Sequence, residues 1–187
     1  MKQIRKTVIL LIILCMGTCF AYAQKNGSTL SASTVFGSLD SGEAAQPKAK
    51  LGVSLKNNGF TFESETQKKE NIYGKTRTIH TKIYRKGDFS VEYTYYMDEN
   101  DPFFLSLKIK FPTTVACESF YKEVVKRVKD DEKYWDSVPG GFPRGAWDYK
   151  KNECERRYFG PFAESNQFWR CEGKNFTYWY KEIPVNN

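Results

Sequence analysis

The chain has 187 residues, with 29 Lys or Arg against 22 Asp or Glu, one His and five Cys. The formal charge is +7, but three of the basic residues lie before position 24, and the remaining +4, without any long Lys/Arg block, makes no nucleic-acid footprint. The length suits one domain, or two small repeats, with a real core.

At the amino end Lys2, Arg5 and Lys6 precede an apolar run, Val8 to Leu14 continuing through Cys19, followed by Ala21-Tyr22-Ala23. This order predicts a secretory signal over 1–23, cleaved before Gln24. Gly17 and Thr18 interrupt the run before it reaches the roughly 20 apolar residues of a membrane span. Leu14 and Thr18 are poor residues before Cys15 and Cys19 for lipid attachment, and the small residues Ala21 and Ala23 favour simple cleavage. Cleavage would remove three basic residues and no acid, lowering the charge from +7 to +4. Cys117, Cys154 and Cys171 would remain in an oxidising compartment, where three thiols allow at most one internal bridge.

Residues 24–46 are rich in Ser, Gly, Ala and Thr and read as a flexible leader. From Pro47 to Asn58 two patterns compete. Leu51 and Leu55 lie one helical turn apart with Asn58-Gly59 as a stop, but Leu51, Val53, Leu55, Phe60 and Phe62 also alternate about that Asn-Gly. Residues 60–66 read as a strand and 67–75 as a polar loop. Two further strands, 76–85 and 89–97, flank the hairpin signal Lys86-Gly87-Asp88.

The clearest stretch runs from Phe103 to Asp130. Phe103, Leu105, Leu107, Ile109 and Phe111 alternate with Ser106, Lys108 and Lys110, which is the pattern of a half-buried strand. Pro112 ends it, and Thr113 or Thr114 can cap a helix. Cys117, Phe120, Tyr121, Val124, Val125 and Val128 form that helix's apolar stripe. Glu118 and the trio Lys126, Arg127 and Lys129 suit the two ends of its dipole. Residues 134–149 look irregular, closing on a short strand. Strands over 153–159, 167–172 and 176–181 follow, with turns at 160–166 and Gly173-Lys174.

The order is a helix and about four strands, twice, over 47–111 and 112–187. Runs of strands without βαβ alternation give an α+β fold with helices packed on antiparallel sheet. The helix, leaning on this repetition, is therefore preferred at 47–58. In this order the chain resembles the beta-lactamase inhibitory protein and related tandem-repeat secreted proteins. The resemblance implies a secreted binding or inhibitory protein with an aromatic sheet surface and no catalytic residues to carry over.

The residues themselves point to no cofactor and no metal. His80 is the only histidine and sits in an alternating segment, and no Cys-x-x-Cys, His-Glu-x-x-His or Walker loop occurs. A glycan-active hydrolase is the alternative to a binder. It would use two of Asp136, Asp148, Glu153 and Glu155 about 5 to 9.5 Å apart. The binding reading calls on a protein or glycan partner, with neither nucleic acid nor a membrane span.

If 160–165 closes a symmetric hairpin, Arg156 faces Trp169 and Cys154 faces Cys171, at a separation suited to a disulfide. That register predicts a Cys154–Cys171 bridge with Cys117 as a buried thiol. It also divides the last hairpin into two faces. Trp169, Cys171, Phe176 and Tyr178 go beneath a helix, while Arg157, Phe168, Arg170, Thr177, Trp179 and Lys181 share the other face. Phe168 and Trp179 are expected to be exposed there, with Trp135 and Trp147 joining them from the irregular loop. The candidate binding residues are thus Trp135, Trp147, Arg157, Phe168, Arg170 and Trp179, since aromatic and Arg side chains are common anchors.

Overall fold

The computed structural model describes residues 30–38, 46–72, 74–137, 146–159 and 163–184. The predicted signal, most of the leader and the Gly/Pro-rich segment 138–145 lie outside them. The residues from Ser31 onward form one compact unit. Its elements are α1 (Ala32–Val35), α2 (Leu51–Asn57), β1 (Thr61–Ile72), β2 (Lys75–Lys86), β3 (Phe89–Asp98), β4 (Asp101–Lys110), α3 (Thr114–Ser137), β5 (Ala146–Tyr149), β6 (Glu153–Phe159), β7 (Ala163–Glu172) and β8 (Asn175–Pro184). The class is α+β.

Among the described residues the eight strands form a single antiparallel sheet in the order β1-β2-β3-β4-β8-β7-β6-β5. Two four-stranded meanders therefore meet edge to edge, β4 against β8, with Leu107 opposite Tyr178 and Ile109 opposite Phe176. The helices share one face. Gly52 of α2 approaches Tyr84 and Tyr93, Phe120 of α3 packs on Phe176, and Phe36 just after α1 contacts Phe120, Phe176 and Tyr178.

Several boundaries depart from the sequence reading. The polar stretch 67–75 is the end of a β1–β2 ribbon that pairs as far as Ile72 opposite Lys75. Residues exposed on both sides of a ribbon need no apolar alternation, so periodicity could not find it. At 51–57 the helix prevails over the hairpin: Leu51 and Leu55 are buried, and Gly59 at φ 81° lets the chain leave the helix. The long helix starts as expected, with Thr113 Oγ1 accepting from the Ala116 N–H at 3.1 Å. It ends at Ser137, however, so Lys126, Arg127 and Lys129 lie mid-helix and not at a C-terminus.

The leader is also not wholly flexible. Residues 32–35 form α1, and Val35 and Phe36 are buried. Two residues of α3 hold this segment: the Glu123 carboxylate accepts from the Ala32 N–H at 2.8 Å, and Arg127 donates to the Gly37 carbonyl. Ser54 of α2 donates to the Thr34 carbonyl at 2.6 Å. A Ser/Thr-rich composition hid these few long-range contacts.

The disulfide is Cys117–Cys171, with Cα atoms 6.1 Å apart, and Cys154 is the buried free thiol; this corrects the Cys154–Cys171 expectation. The physical reason is register. Phe159 faces Glu164 and not Asn166, because the chain reverses two residues sooner, so Cys154 faces Trp169 and Arg156 faces Gln167. A two-residue shift preserves which side chains share a face. Cys171 thus still points toward the helices, where Cys117 on the apolar stripe of α3 meets it. Burial pushes the Cys154 thiol up to about 12, so it packs as a small apolar group.

Candidate functional site

The sheet register places the predicted residues directly. On the helix-free face one row runs Glu155, Phe168, Trp179, Ser106, Thr94, Thr81, and a second runs Glu153, Arg170, Thr177, Lys108, Glu92. Arg157, Phe168, Arg170 and Trp179 therefore do share a face. Phe168 and Trp179 stack with ring centroids 4.8 Å apart, and the Arg170 guanidinium lies over the Phe168 ring at 5.0 Å.

This face is largely satisfied within itself. Arg170 donates to Glu153 at 2.7 Å, Arg157 to Glu155 at 3.3 Å and Lys108 to Glu92 at 3.1 Å. Phe168, expected to be exposed, is only 7% exposed, while Trp179 is half-buried. The side chains of Trp135 and Trp147, and that of Asp136, lie outside the described part. Among the other candidate acids, Asp148 pairs with Lys150 at 3.3 Å, and Glu153 and Glu155 hold the arginines just named. Each of these three carboxylates is thus engaged by a cation, and none stands free across an empty gap of the kind a glycosidase needs.

The helical face divides in two. One row of directly opposed residues crosses the whole sheet: Cys154, Trp169, Tyr178, Leu107, Tyr93, Lys82, Glu65. Its first four members lie in the half that carries α3, among Phe111, Phe120 and Phe176. Asp131 of α3 is buried and faces Arg156 at 3.8 Å, and Glu132 accepts from the Tyr149 hydroxyl at 3.0 Å. The last three members lie beyond the reach of that helix.

Among the described residues the only helix over β2 and β3 is α2. Its seven residues rise about 10 Å, whereas a ten-residue strand runs about 33 Å. What it leaves uncovered is a cleft of about 400 Å³ between α2, the β2–β3–β4 surface and the β3–β4 turn. Tyr84, Tyr93 and Tyr95 form its floor as a ladder, with the first pair stacked at 5.9 Å and the second pair 5.8 Å apart. Phe104 closes the floor against Tyr93 and Tyr95. Gly52 is required at the helix end of the cleft, since a Cβ there would stand 2.6 Å from the Tyr84 hydroxyl and 2.9 Å from that of Tyr93.

Charged groups border the ladder. His80 stacks on Tyr95 at 5.1 Å, and its Nδ1 lies 2.8 Å from the Glu65 carboxylate, which as an acceptor draws the ring N–H. That hydrogen bond holds the Glu65 carboxyl below its ordinary value. The Lys82 ammonium lies 3.7 Å from Glu65 and 5.4 Å from the Tyr95 ring centre. Burial works against its charge, but Tyr95 and Glu65 outweigh burial and raise its pKa. Burial, and then the hydrogen bond with Tyr84, raise the Tyr93 phenol, which stays protonated at any physiological pH.

The sequence reading passed over this site. Its signal was present in the parity of β2 and β3: Tyr93 and Tyr95 share a face with Val91, and His80, Lys82 and Tyr84, their partners across the ladder, lie on that same face. Polar residues at inward positions mark a sheet surface that no helix seals. No cluster of three or more His, Cys, Asp or Glu side chains that could hold a metal occurs among the described residues. Comparison with known proteins yields no match to any family model, curated protein or solved structure.

Proposed function

We propose that this is a secreted or periplasmic, non-catalytic binding protein whose ligand, a glycan or a segment of a protein partner, seats in the tyrosine-floored cleft beside α2. The observation that carries the reading is the unequal cover of one sheet face. A 24-residue helix and a disulfide close one half, while the other half keeps a concavity lined by Tyr84, Tyr93, Tyr95, Phe104 and Lys82. Apolar and aromatic clefts of about 300–1,000 Å³ with a few convergent polar groups are the usual form of small-ligand sites. The helix-free face offers less, because its charges already have partners. Two repeats of one plan, α2 with β1–β4 and α3 with β5–β8, are part of the proposal. The element order and the β4–β8 junction support them, in the manner of the beta-lactamase inhibitory protein-like architecture. Export is supported by the disulfide and by the amino-terminal charge and apolar pattern. Among the described residues no helix is long and apolar enough to cross a membrane.

The test is a screen of glycans and of secreted-fraction proteins against three forms of the chain: wild type, Val53→Trp and Trp179→Ala. Val53 lines the cleft and is 55% exposed, so an indole there fills the cleft without entering the core. Binding lost in Val53→Trp and kept in Trp179→Ala is the expected result. Loss in Trp179→Ala alone would return the site to the helix-free face, and turnover of a bound glycan would favour the hydrolase.

A further inference from the structure

The cleft is not neutral. Three ammonium groups line it, Lys50 and Lys56 from the α2 side and Lys82 from the sheet, against one carboxylate, Asp101. Lys82 has Glu65 as a partner, whereas neither Lys50 nor Lys56 forms an ion pair among the described residues. Both are exposed at the rim, so a ligand can reach them without rearrangement.

From this we infer that the ligand is anionic, a sugar ring bearing a carboxylate, the chemistry of a uronic-acid oligosaccharide. The inference rests on the cleft being the ligand site. Each part of the lining answers to one part of such a molecule. Tyr93, Tyr95 and Phe104, tilted against one another and only 4%, 8% and 8% exposed, form an apolar floor on which the C–H face of a sugar ring can rest. Asn100 and Asp101 on the β3–β4 turn offer acceptors and donors to ring hydroxyls. The lysines at the opposite wall supply charge to the carboxylate, and a cleft in which cations outnumber carboxylates concentrates anionic ligands. An alkyl chain would use the floor but leave the turn and the lysines without a role. A neutral sugar would leave two ammonium groups unpaired.

Calorimetric titration of the purified protein with trigalacturonate, its fully methyl-esterified form and phenylacetate tests this. The acid trimer is expected to bind about tenfold more tightly than the ester, and only the acid should weaken as ionic strength rises. The double variant Lys50→Ala/Lys56→Ala, whose side chains lie outside the core, should erase the difference while leaving the ester's affinity unchanged. Equal affinity for acid and ester, an unaffected double variant, or no heat with the acid at all would overturn the inference. Phenylacetate binding as tightly as the trimer would overturn the sugar and leave an aryl acid in its place. The Val53→Trp form separates this from the underlying reading. If acid and ester bind alike and Val53→Trp abolishes both, the cleft stands and its charge preference falls. If Val53→Trp leaves acid binding intact, the cleft itself is not the site.

Discussion

The two halves of the helical face are built on the same sheet and on the same row of opposed residues, yet one is a core and the other a cleft. Under α3 that row reads Cys154, Trp169, Tyr178 and Leu107, all buried. Under α2 it continues as Tyr93, Lys82 and Glu65, where only the tyrosine is buried. What separates them is helix length. A helix of 24 residues, about 36 Å, spans its strands, while one of seven spans about 10 Å. Beneath the long helix an inward charge needs a dedicated partner, as Arg156 has in Asp131, whereas beneath the short one Lys82 and Glu65 keep access to water.

The comparison breaks most visibly in the covered half. Phe120 is 1% exposed and touches Phe36, Phe111 and Phe176, so Phe120→Ala should cost about 3–5 kcal/mol in denaturant melts. Removing the Cys117–Cys171 bridge with Cys117→Ala should cost up to about 4 kcal/mol for a loop spanning 54 residues. Under oxidising conditions peptide mapping should link 117 to 171 and leave 154 alkylatable only after unfolding. A 154–171 link would restore the hairpin register expected from the sequence.

In the open half the effects are smaller. Gly52→Ala gains helix propensity of about 0.5–1 kcal/mol, but its Cβ meets two phenol oxygens below 3.0 Å. Overpacking of this kind costs about 1–3 kcal/mol, so the net change should be a mild destabilisation, with altered near-ultraviolet tyrosine dichroism as α2 lifts from the ladder. A neutral or stabilised variant would mean that α2 is not seated on the tyrosines.

Acid sensitivity sharpens the same contrast. The Glu65 carboxyl is lowered in the folded chain chiefly by its hydrogen bond with His80. Its contribution is therefore complete above the unfolded value, near 4.5, and is lost as pH falls through the lower folded value. Glu65→Gln should flatten the stability profile in that acid range, lowering stability above about pH 4.5 and leaving the acid end nearly unchanged. Smallest of all should be Arg170→Ala on the helix-free face. Arg170 and Glu153 are 48% and 22% exposed, and screened pairs of this kind contribute about 0–1 kcal/mol.

Much of this contrast could be read from the residues, in unequal measure. The alternation of Leu107, Ile109 and Phe111 and the stripe of Cys117, Phe120, Tyr121, Val124 and Val128 were legible because each packs against one sealed layer, whereas a bulge in the β3–β4 pairing turns Phe104 inward where Phe103 and Leu105 were expected. The face assignment of Trp169, Cys171, Phe176 and Tyr178 survived a register error of two, since side-chain direction depends only on parity. The bridge did not survive it, because pairing across strands depends on the turn, and Gly160-Pro161-Phe162 does not announce its length. The cleft was hardest to read. Its tyrosines resemble any half-buried strand, and the feature that makes them a site, a helix too short to cover them, is a relation between elements some thirty residues apart.

Crystal soaking with a mixed library of small sugars and small carboxylates tests the central claim most directly, since it asks which concavity of the whole surface takes a ligand. Density over Tyr93 and Tyr95, within reach of Lys82, is the result this account predicts. Ligands gathered instead on the Phe168–Trp179 stack, with the tyrosine cleft left empty, would contradict it.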